Sequence, residues 1–179
     1  NTAGPQTVSV NYYNGNGCTA TSATVSYVTV NALPIPTISG TTTVCEGTTG
    51  VTYTTEPGMS GYTWNVSAGG AITTGLLTNQ ITVNWNTAGP QTVSVNYYNG
   101  NGCTATSATV SYVTVNALPI PTISGTTTVC EGTTGVTYTT EPGMSGYTWN
   151  VSAGGAITTG LLTNQITVNW NTAGPQTVS

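Results

Sequence analysis

The chain repeats itself letter for letter. Residues 86–179 reproduce residues 1–94, an offset of 86 − 1 = 85 residues. A unit of this length suits one small domain and is too long for one rung of a solenoid. The repeat therefore predicts a tandem array in which every unit has the same fold.

The boundary between units is predicted at residues 31–36, Asn-Ala-Leu-Pro-Ile-Pro, which recur at 116–121. Two prolines at alternate positions favour a stiff, extended connection and do not fit a central strand. Residues 1–31 are then the end of one repeat, 32–116 a complete repeat, and 117–179 the start of the next without its final strand. We expect a window on a longer polymer; the alternative is that a neighbouring chain supplies the missing strands.

Apolar and polar residues alternate in the middle of the unit, which is the pattern of half-buried strands. The first such stretch is residues 61–66, and the aromatic side chains of Tyr62 and Trp64 lie on its apolar face. The second is residues 81–85, which alternates with the same period and can pack against that face. The predicted core consists of Tyr62, Trp64, Val66, Ile81, Val83, Trp85, Val93 and Val95.

Short strands separated by turn signals fill the rest of the repeat. Glu56-Pro57-Gly58 and the doubled Asn-Gly at residues 99–102 are the strongest turns. The pattern predicts an all-β fold of tandem immunoglobulin-like sandwiches of about seven strands, with a first strand broken at Gly40. The last strand changes the parity of its apolar residues at Tyr112-Val113, which is consistent with a bulge or with residues turned toward a domain junction.

Composition excludes several classes of function. The chain has no Lys, Arg, His or Asp, and its net charge of −4 comes from Glu46, Glu56, Glu131 and Glu141. Nucleic-acid binding, catalytic triads, zinc sites and EF-hand loops all need residues that are missing. We therefore expect no enzyme activity, no metal and no cofactor. No apolar run is long enough to span a membrane.

Each repeat contains two cysteines. A disulfide between Cys45 and Cys103 is the favoured interpretation, since the composition is typical of extracellular proteins. The alternative is a pair of free buried thiols. On the same spacing, the partners of Cys18 and Cys130 would lie outside this sequence.

An ordered set of short motifs carries a family resemblance over the whole unit: Cys45-Glu46-Gly47, Tyr62-x-Trp64-x-Val66, Gly69-Gly70-x-Ile72, Gly75, Ile81-x-Val83-x-Trp85, Gly89, Val93-x-Val95 and Gly102-Cys103. This set resembles the PKD-like, immunoglobulin-like tandem repeats of Bacteroidota surface adhesins and secreted repeat proteins. The resemblance implies a secreted bacterial protein at the cell surface. The Trp-Asp-Phe-Gly-Asp-Gly motif of typical PKD domains is missing, so no calcium or glycan property is carried over.

Few residues are candidates for a binding or catalytic site. Tyr98 should point outward beside the Asn-Gly turn, where it could contact a glycan, another strand or a neighbouring domain. Glu46 and Glu56 are the only conceivable glycosidase pair in the complete repeat, and solvated turn carboxylates are the simpler interpretation. A calcium site at Glu46 lacks other charged ligands. Asn65 and Asn150 begin glycosylation sequons, which the bacterial resemblance argues against.

The leading hypothesis is a structural protein that forms a stiff extracellular fibre, filament or adhesin stalk. Its partners would be neighbouring repeats and other copies of itself, because sheet edges without Lys lack a usual protection against association. The alternative is a module that recognises a glycan or host surface through Tyr98.

Overall fold

A computed structural model describes residues 2–179 and contains strands and turns, with no helix in that range. Fourteen strands follow one another: β1 (Gly4–Val10), β2 (Thr24–Val30), β3 (Ser39–Gly40), β4 (Thr43–Cys45), β5 (Val51–Thr54), β6 (Ser60–Val66), β7 (Gly70–Thr74), β8 (Gln80–Trp85), β9 (Gly89–Tyr98), β10 (Thr109–Asn116), β11 (Ser124–Gly125), β12 (Val136–Thr139), β13 (Gly155–Thr159) and β14 (Gln165–Trp170). The chain divides into two compact units, one ending at Leu118 and the other beginning at Pro119.

Strands β3 to β10 make a sandwich of two four-stranded sheets, in the orders β4-β10-β9-β6 and β3-β5-β8-β7. The broken first strand contributes to both: β3 pairs with β5 in one sheet, and β4 pairs with β10 in the other. The chain changes sheets between Gly40 and Thr43. Gly40 packs closely against Tyr53, because a Cβ there would overlap the tyrosine ring. The prediction of an all-β, immunoglobulin-like fold is confirmed.

The core of this sandwich is built by alternation. Tyr62 and Trp64 of β6 and the valines of β9 point in from one sheet, and the apolar residues of β8 point in from the other. The buried set is Tyr53, Tyr62, Trp64, Ile81, Val83, Trp85, Val93, Val95, Tyr97, Val113 and Val115, and Val66 packs half-buried against it. Tyr53 lies edge-on to Trp85 with ring centroids 6.3 Å apart, so aromatic packing joins β5 to β8.

Strands β1 and β2 form a hairpin in the same register as β9 and β10, since Gly4 lies opposite Val30 as Gly89 lies opposite Val115. Val8 is 64% exposed in the hairpin, whereas its counterpart Val93 is fully buried. Burial in this fold is therefore a property of the opposed sheets and not of the hairpin itself.

The second unit repeats the β3-β5-β8-β7 sheet as β11-β12-β14-β13. Its core contains Tyr138, Trp149, Ile166, Val168 and Trp170. Trp170 lies edge-on to Tyr138 at 6.3 Å, the same arrangement as in the complete repeat. Identical sequence thus produces the same local packing twice.

Candidate functional site

The outer face of the sheet β4-β10-β9-β6 is the surface on which the predicted contact residue lies. Strand β9 turns Val93, Val95 and Tyr97 into the core, so the residues between them face outward and end with Tyr98. Asn65 of β6 lies opposite Ser94 on this face. The surface is lined mainly by small hydroxyl and amide side chains.

Two apolar residues of β10 also lie on this face. The pairing of β10 with β9 runs without a break from Thr109 to Val115, so the strand contains no bulge in that range. The change in apolar parity instead leaves Val110 and Tyr112 pointing outward, with Tyr112 77% exposed. Sequence reasoning did not select Tyr112 as a surface residue, although the parity change was the available signal.

Tyr98 and Tyr112 do not form one aromatic platform. Tyr112 lies opposite Thr92, six residues from Tyr98 along β9, which corresponds to about 20 Å at the rise of an antiparallel strand. Tyr98 is 47% exposed, and its ring lies against the backbone of Gly61. A sugar ring would meet only one of the two tyrosines.

The asparagines near Tyr98 are engaged inside the protein. Asn96 donates to the Ala105 carbonyl oxygen at 3.1 Å, and its own side-chain oxygen accepts from Thr104 at 3.1 Å. Asn99 donates to the Ala32 carbonyl oxygen at 3.0 Å and accepts from two backbone N–H groups of its turn. Their main role is to hold the turn and the preceding segment of chain.

We call the part of the complete repeat where the chain arrives, at residues 32–37, its entry end. Hydrogen bonds hold this segment to the sandwich: Asn99 donates to Ala32, and the Thr109 hydroxyl donates to the Pro36 carbonyl oxygen at 2.6 Å. The segment also contains two prolines, which restrict its backbone. The connection into the repeat is therefore fixed to the folded domain along its length.

Glu56 is the centre of a hydrogen-bond cluster at the entry end. Its carboxylate accepts from the Thr37 backbone N–H at 3.1 Å, the Thr55 hydroxyl at 2.7 Å and the Tyr97 hydroxyl at 2.9 Å, and also from the Thr37 hydroxyl. Burial raises the pKa of Glu56, but the hydrogen bonds from Thr37 and Thr55 outweigh it and lower the pKa to about 2. Burial, and then the hydrogen bond to Glu56 and its charge, raise the pKa of Tyr97 to about 12.

The low pKa of Glu56 predicts acid sensitivity. Because the pKa of Glu56 in the folded repeat lies below its ordinary value of 4.5, the stabilisation is present above that value and is lost as pH falls toward 2. We expect Glu56→Gln to lower the free energy of unfolding at pH 7 by about 1–2 kcal/mol, because a charge-assisted acceptor is lost. Urea unfolding at a series of pH values between 7 and 2 measures both the stability that the variant loses at pH 7 and the stability that is lost as pH falls.

Glu46→Gln is the matched control for this experiment, since Glu46 belongs to the same repeat and lies away from the cluster. As pH falls, the free energy of unfolding should decrease less in the Glu56→Gln variant than in the parent chain. In the Glu46→Gln variant the decrease should be as large as in the parent chain. Equal stability of all three chains at pH 7, with parallel pH profiles, would show that the cluster contributes nothing.

The structure does not bring the two carboxylates together. Glu46 follows β4, and its backbone N–H donates to the Asn116 carbonyl oxygen at 2.8 Å. We call this end of the sandwich, where the chain leaves through Asn116, the exit end. Glu56 lies at the entry end beside Tyr97. The spacing that a glycosidase pair requires, about 5–10 Å, is not met by carboxylates at opposite ends of a sheet.

The predicted disulfide between Cys45 and Cys103 does not form in the structure, where both thiols are free. Cys45 lies opposite Asn116 at the exit end, and Cys103 lies in the turn next to Thr104 at the entry end. Nine residue steps of β9 separate these ends, or about 30 Å, whereas a disulfide requires Cα atoms within about 7 Å. The prediction was wrong because it used the number and spacing of cysteines without the strand order.

A cleft of about 640 Å³ in the second unit is lined by Met144, Tyr147 and Trp149 among others. In the complete repeat, Tyr97 packs against Tyr62, the counterpart of Tyr147, with ring centroids 5.8 Å apart. The cleft thus lies beside Tyr147, at the position that Tyr97 fills next to Tyr62 in the complete repeat.

Among residues 2–179, no group of three or more acidic or cysteine side chains is placed to hold a metal ion. The same residues contain no helix that could cross a bilayer.

A comparison with protein families matches the PKD-like domain over residues 31–112 and 116–179. The chain belongs to the PKD-like domain family. The two matched stretches cover most of the sequence and follow one another in tandem, so the complete PKD-like repeat and the second unit belong to one family. A comparison with curated proteins finds no match.

Proposed function

We propose that these PKD-like repeats form a structural extracellular array, a stiff stalk or fibre at a bacterial surface. The observation that carries this proposal is the fixed entry end. Asn99 and Thr109 donate hydrogen bonds to the carbonyl oxygens of Ala32 and Pro36. Glu56 accepts one from the backbone N–H of Thr37, and together these bonds hold the arriving segment against the sandwich. A connection held in this way supports a rigid string of domains better than a flexible tether does.

The composition of the repeat supports a location outside the cell. The sequence has no Lys or Arg, so trypsin-like proteases find no cleavage site in it. Its stability comes from a β core and hydrogen bonds that need no ligand. Neighbouring repeats, and other copies of the chain, are the proposed partners, with the outward Val110 and Tyr112 available for contact between copies.

Immunogold electron microscopy tests the proposal. An antibody against this chain should label unpermeabilised cells, with gold particles on structures that extend away from the surface. Labelling that appears only after the cells are permeabilised would contradict an extracellular array.

The competing function is recognition of a glycan or host surface through Tyr98. The distance from Tyr98 to Tyr112 and the internal hydrogen bonds of Asn96 and Asn99 argue against it. We therefore expect the folded chain to bind nothing on a glycan array. Specific binding that is lost in Tyr98→Ala and retained in Tyr112→Ala would overturn this expectation and support a binding module, because both residues are exposed tyrosines on one sheet face.

A further inference from the structure

The start and the end of the complete repeat are bonded to each other by strands that run in the same direction. Strand β4 pairs in parallel with the end of β10, so that Thr43 lies opposite Thr114. Backbone hydrogen bonds continue on both sides of this pairing. The Thr114 N–H donates to the Thr42 carbonyl oxygen at 2.8 Å. The Glu46 N–H donates to the Asn116 carbonyl oxygen at 2.8 Å. The part of the chain that enters the repeat is therefore bonded directly to the strand by which the chain leaves.

Contact between these two parts of the chain extends back to the entry end. The Thr109 hydroxyl, at the start of β10, donates to the Pro36 carbonyl oxygen at 2.6 Å. Ile38 follows Pro36 and packs half-buried against the core, and Val44 does the same within β4. Residues 36–46 thus contact β10 at its beginning and at its end, and they are also packed against the core in between.

The direction of the chain decides how tension acts on this contact. The chain enters at the entry end, at Ala32, and leaves at the exit end, after Asn116. Tension along the chain therefore pulls residues 36–46 toward the entry end and β10 toward the exit end. The two segments are pulled past each other along their length, so the hydrogen bonds between them are strained together. Breaking them within one short displacement takes more force than breaking them in succession over a long one, because work is force multiplied by distance.

The hairpin of β1 and β2 has the opposite arrangement. Gly4 lies opposite Val30, so the chain enters and leaves this hairpin at the same end. Tension separates such strands one residue pair at a time. In the second unit, residues 128–130 are the counterpart of β4, and they are not part of any strand in the described chain. Among residues 2–179, the complete repeat alone has the parallel pairing.

We propose that residues 36–46 and β10 form a mechanical clamp, by which the complete repeat resists tension along the chain. The inference rests on the proposed function for its biological setting, since a stalk attached at both ends is pulled along its length. It goes beyond that function, because an array of folded repeats need not resist force. The clamp is tested on the chain itself, and that test does not depend on the setting.

Single-molecule force spectroscopy of the full chain, held by tags at its two termini, measures the resistance of the clamp. The hairpin and the second unit should give way at low force, and the complete repeat should unfold last, in one step. That step should lengthen the chain by about 250 Å, because 85 extended residues span about 3.3–3.6 Å each and the folded repeat already spans part of that length.

Pulling the same molecule in another direction isolates the clamp from general stability. Serine replaces Cys18, Cys45 and Cys130, so that a handle can be attached at Cys103 alone. Cys103 lies in the turn at the entry end. Pulling between the N-terminus and Cys103 therefore opens the clamp from one end, bond by bond. We expect the complete repeat to unfold at a lower force in this geometry than when the same variant is pulled by its two termini. Equal forces in the two geometries would overturn the proposal, because the stability of the molecule is the same in both.

Two proline variants test the hydrogen bonds, and circular dichroism checks that each is folded. Glu46→Pro removes the N–H that donates to Asn116. At constant force, the complete repeat should then unfold about fivefold faster, which corresponds to one net hydrogen bond of about 1 kcal/mol. Glu131→Pro is the matched control, because Glu131 is the counterpart of Glu46 in the second unit, and it should leave that rate unchanged.

A folded Glu46→Pro variant that unfolds at the parent rate under force would also overturn the clamp. Neither contrary result would affect the immunogold labelling that tests the extracellular array. Conversely, labelling that appears only in permeabilised cells would contradict the array and leave the measured resistance to force as it is.

Discussion

Trp85→Ala is expected to lower the free energy of unfolding of the complete repeat by about 3–5 kcal/mol, the cost of removing a large core aromatic. Trp85 is fully buried, and its indole N–H donates to the Tyr53 hydroxyl at 3.2 Å. Gly70 leaves room for the ring, since a Cβ there would overlap it. The cavity that the substitution leaves would lie between the two sheets, which limits how far the surrounding residues can relax to fill it.

Because small domains are stable by only about 5–15 kcal/mol, this loss should remove a large fraction of the stability of the repeat. Urea titration followed by circular dichroism measures the effect. Tyr112→Ala is the control for loss of an aromatic ring, and it should change stability by less than about 0.5 kcal/mol because its side chain is exposed. If the two variants unfold at the same urea concentration, the described core is wrong.

Gly75→Ala is expected to be the most damaging glycine substitution, at about 3 kcal/mol or more. Gly75 has a φ of +81°, and a Cβ would lie 3.0 Å from the Gln80 carbonyl carbon and closer to its oxygen. The strain of the left-handed conformation alone costs about 1–2 kcal/mol. The overlap adds to it, because the obstacle is backbone and cannot rotate away.

The loop that begins at Gly75 also satisfies a buried donor. The Thr78 N–H donates to the Gly75 carbonyl oxygen at 2.9 Å, and the Thr78 carbonyl oxygen accepts from the Trp64 indole N–H at 2.8 Å. Displacing the loop would leave that indole N–H without its partner, which is costly in a buried position.

Gly58→Ala is the matched control for Gly75→Ala. Gly58 has nearly the same φ, +79°, and nothing within 4 Å of the position a Cβ would take. Its substitution should therefore cost only the backbone strain. Thermal unfolding of the two variants separates strain from overlap, and equal losses of stability would contradict the described packing of the loop.

Much of the fold could be predicted from sequence because the core strands alternate strictly. Residues such as Trp64 and Val83 occur in phase with their neighbours, so one period of two gives both the strand and its buried face. The break at Gly40 was also visible, since glycine interrupts the strand pattern where the chain changes sheets.

Features that depend on the order of the strands in the sheets could not be predicted from the sequence. The disulfide prediction failed because nothing local to Cys45 or Cys103 indicates that β4 runs parallel to β10 and places them at opposite ends. The cluster around Glu56 was missed for the same reason, because Thr37 and Tyr97 are distant in sequence and meet only in the folded sandwich. Tyr112 is a different case. The change in apolar parity at Tyr112-Val113 could be seen in the sequence, but it was consistent either with a bulge or with residues turned toward a domain junction.

High-resolution electron microscopy of the native material, prepared without reducing agent, tests the central claim that these repeats are the structural units of an extended array. The proposal predicts elongated particles in which one immunoglobulin-like sandwich recurs for every 85 residues, each with its entry segment held against it. Compact particles without a regular succession of sandwiches would contradict it.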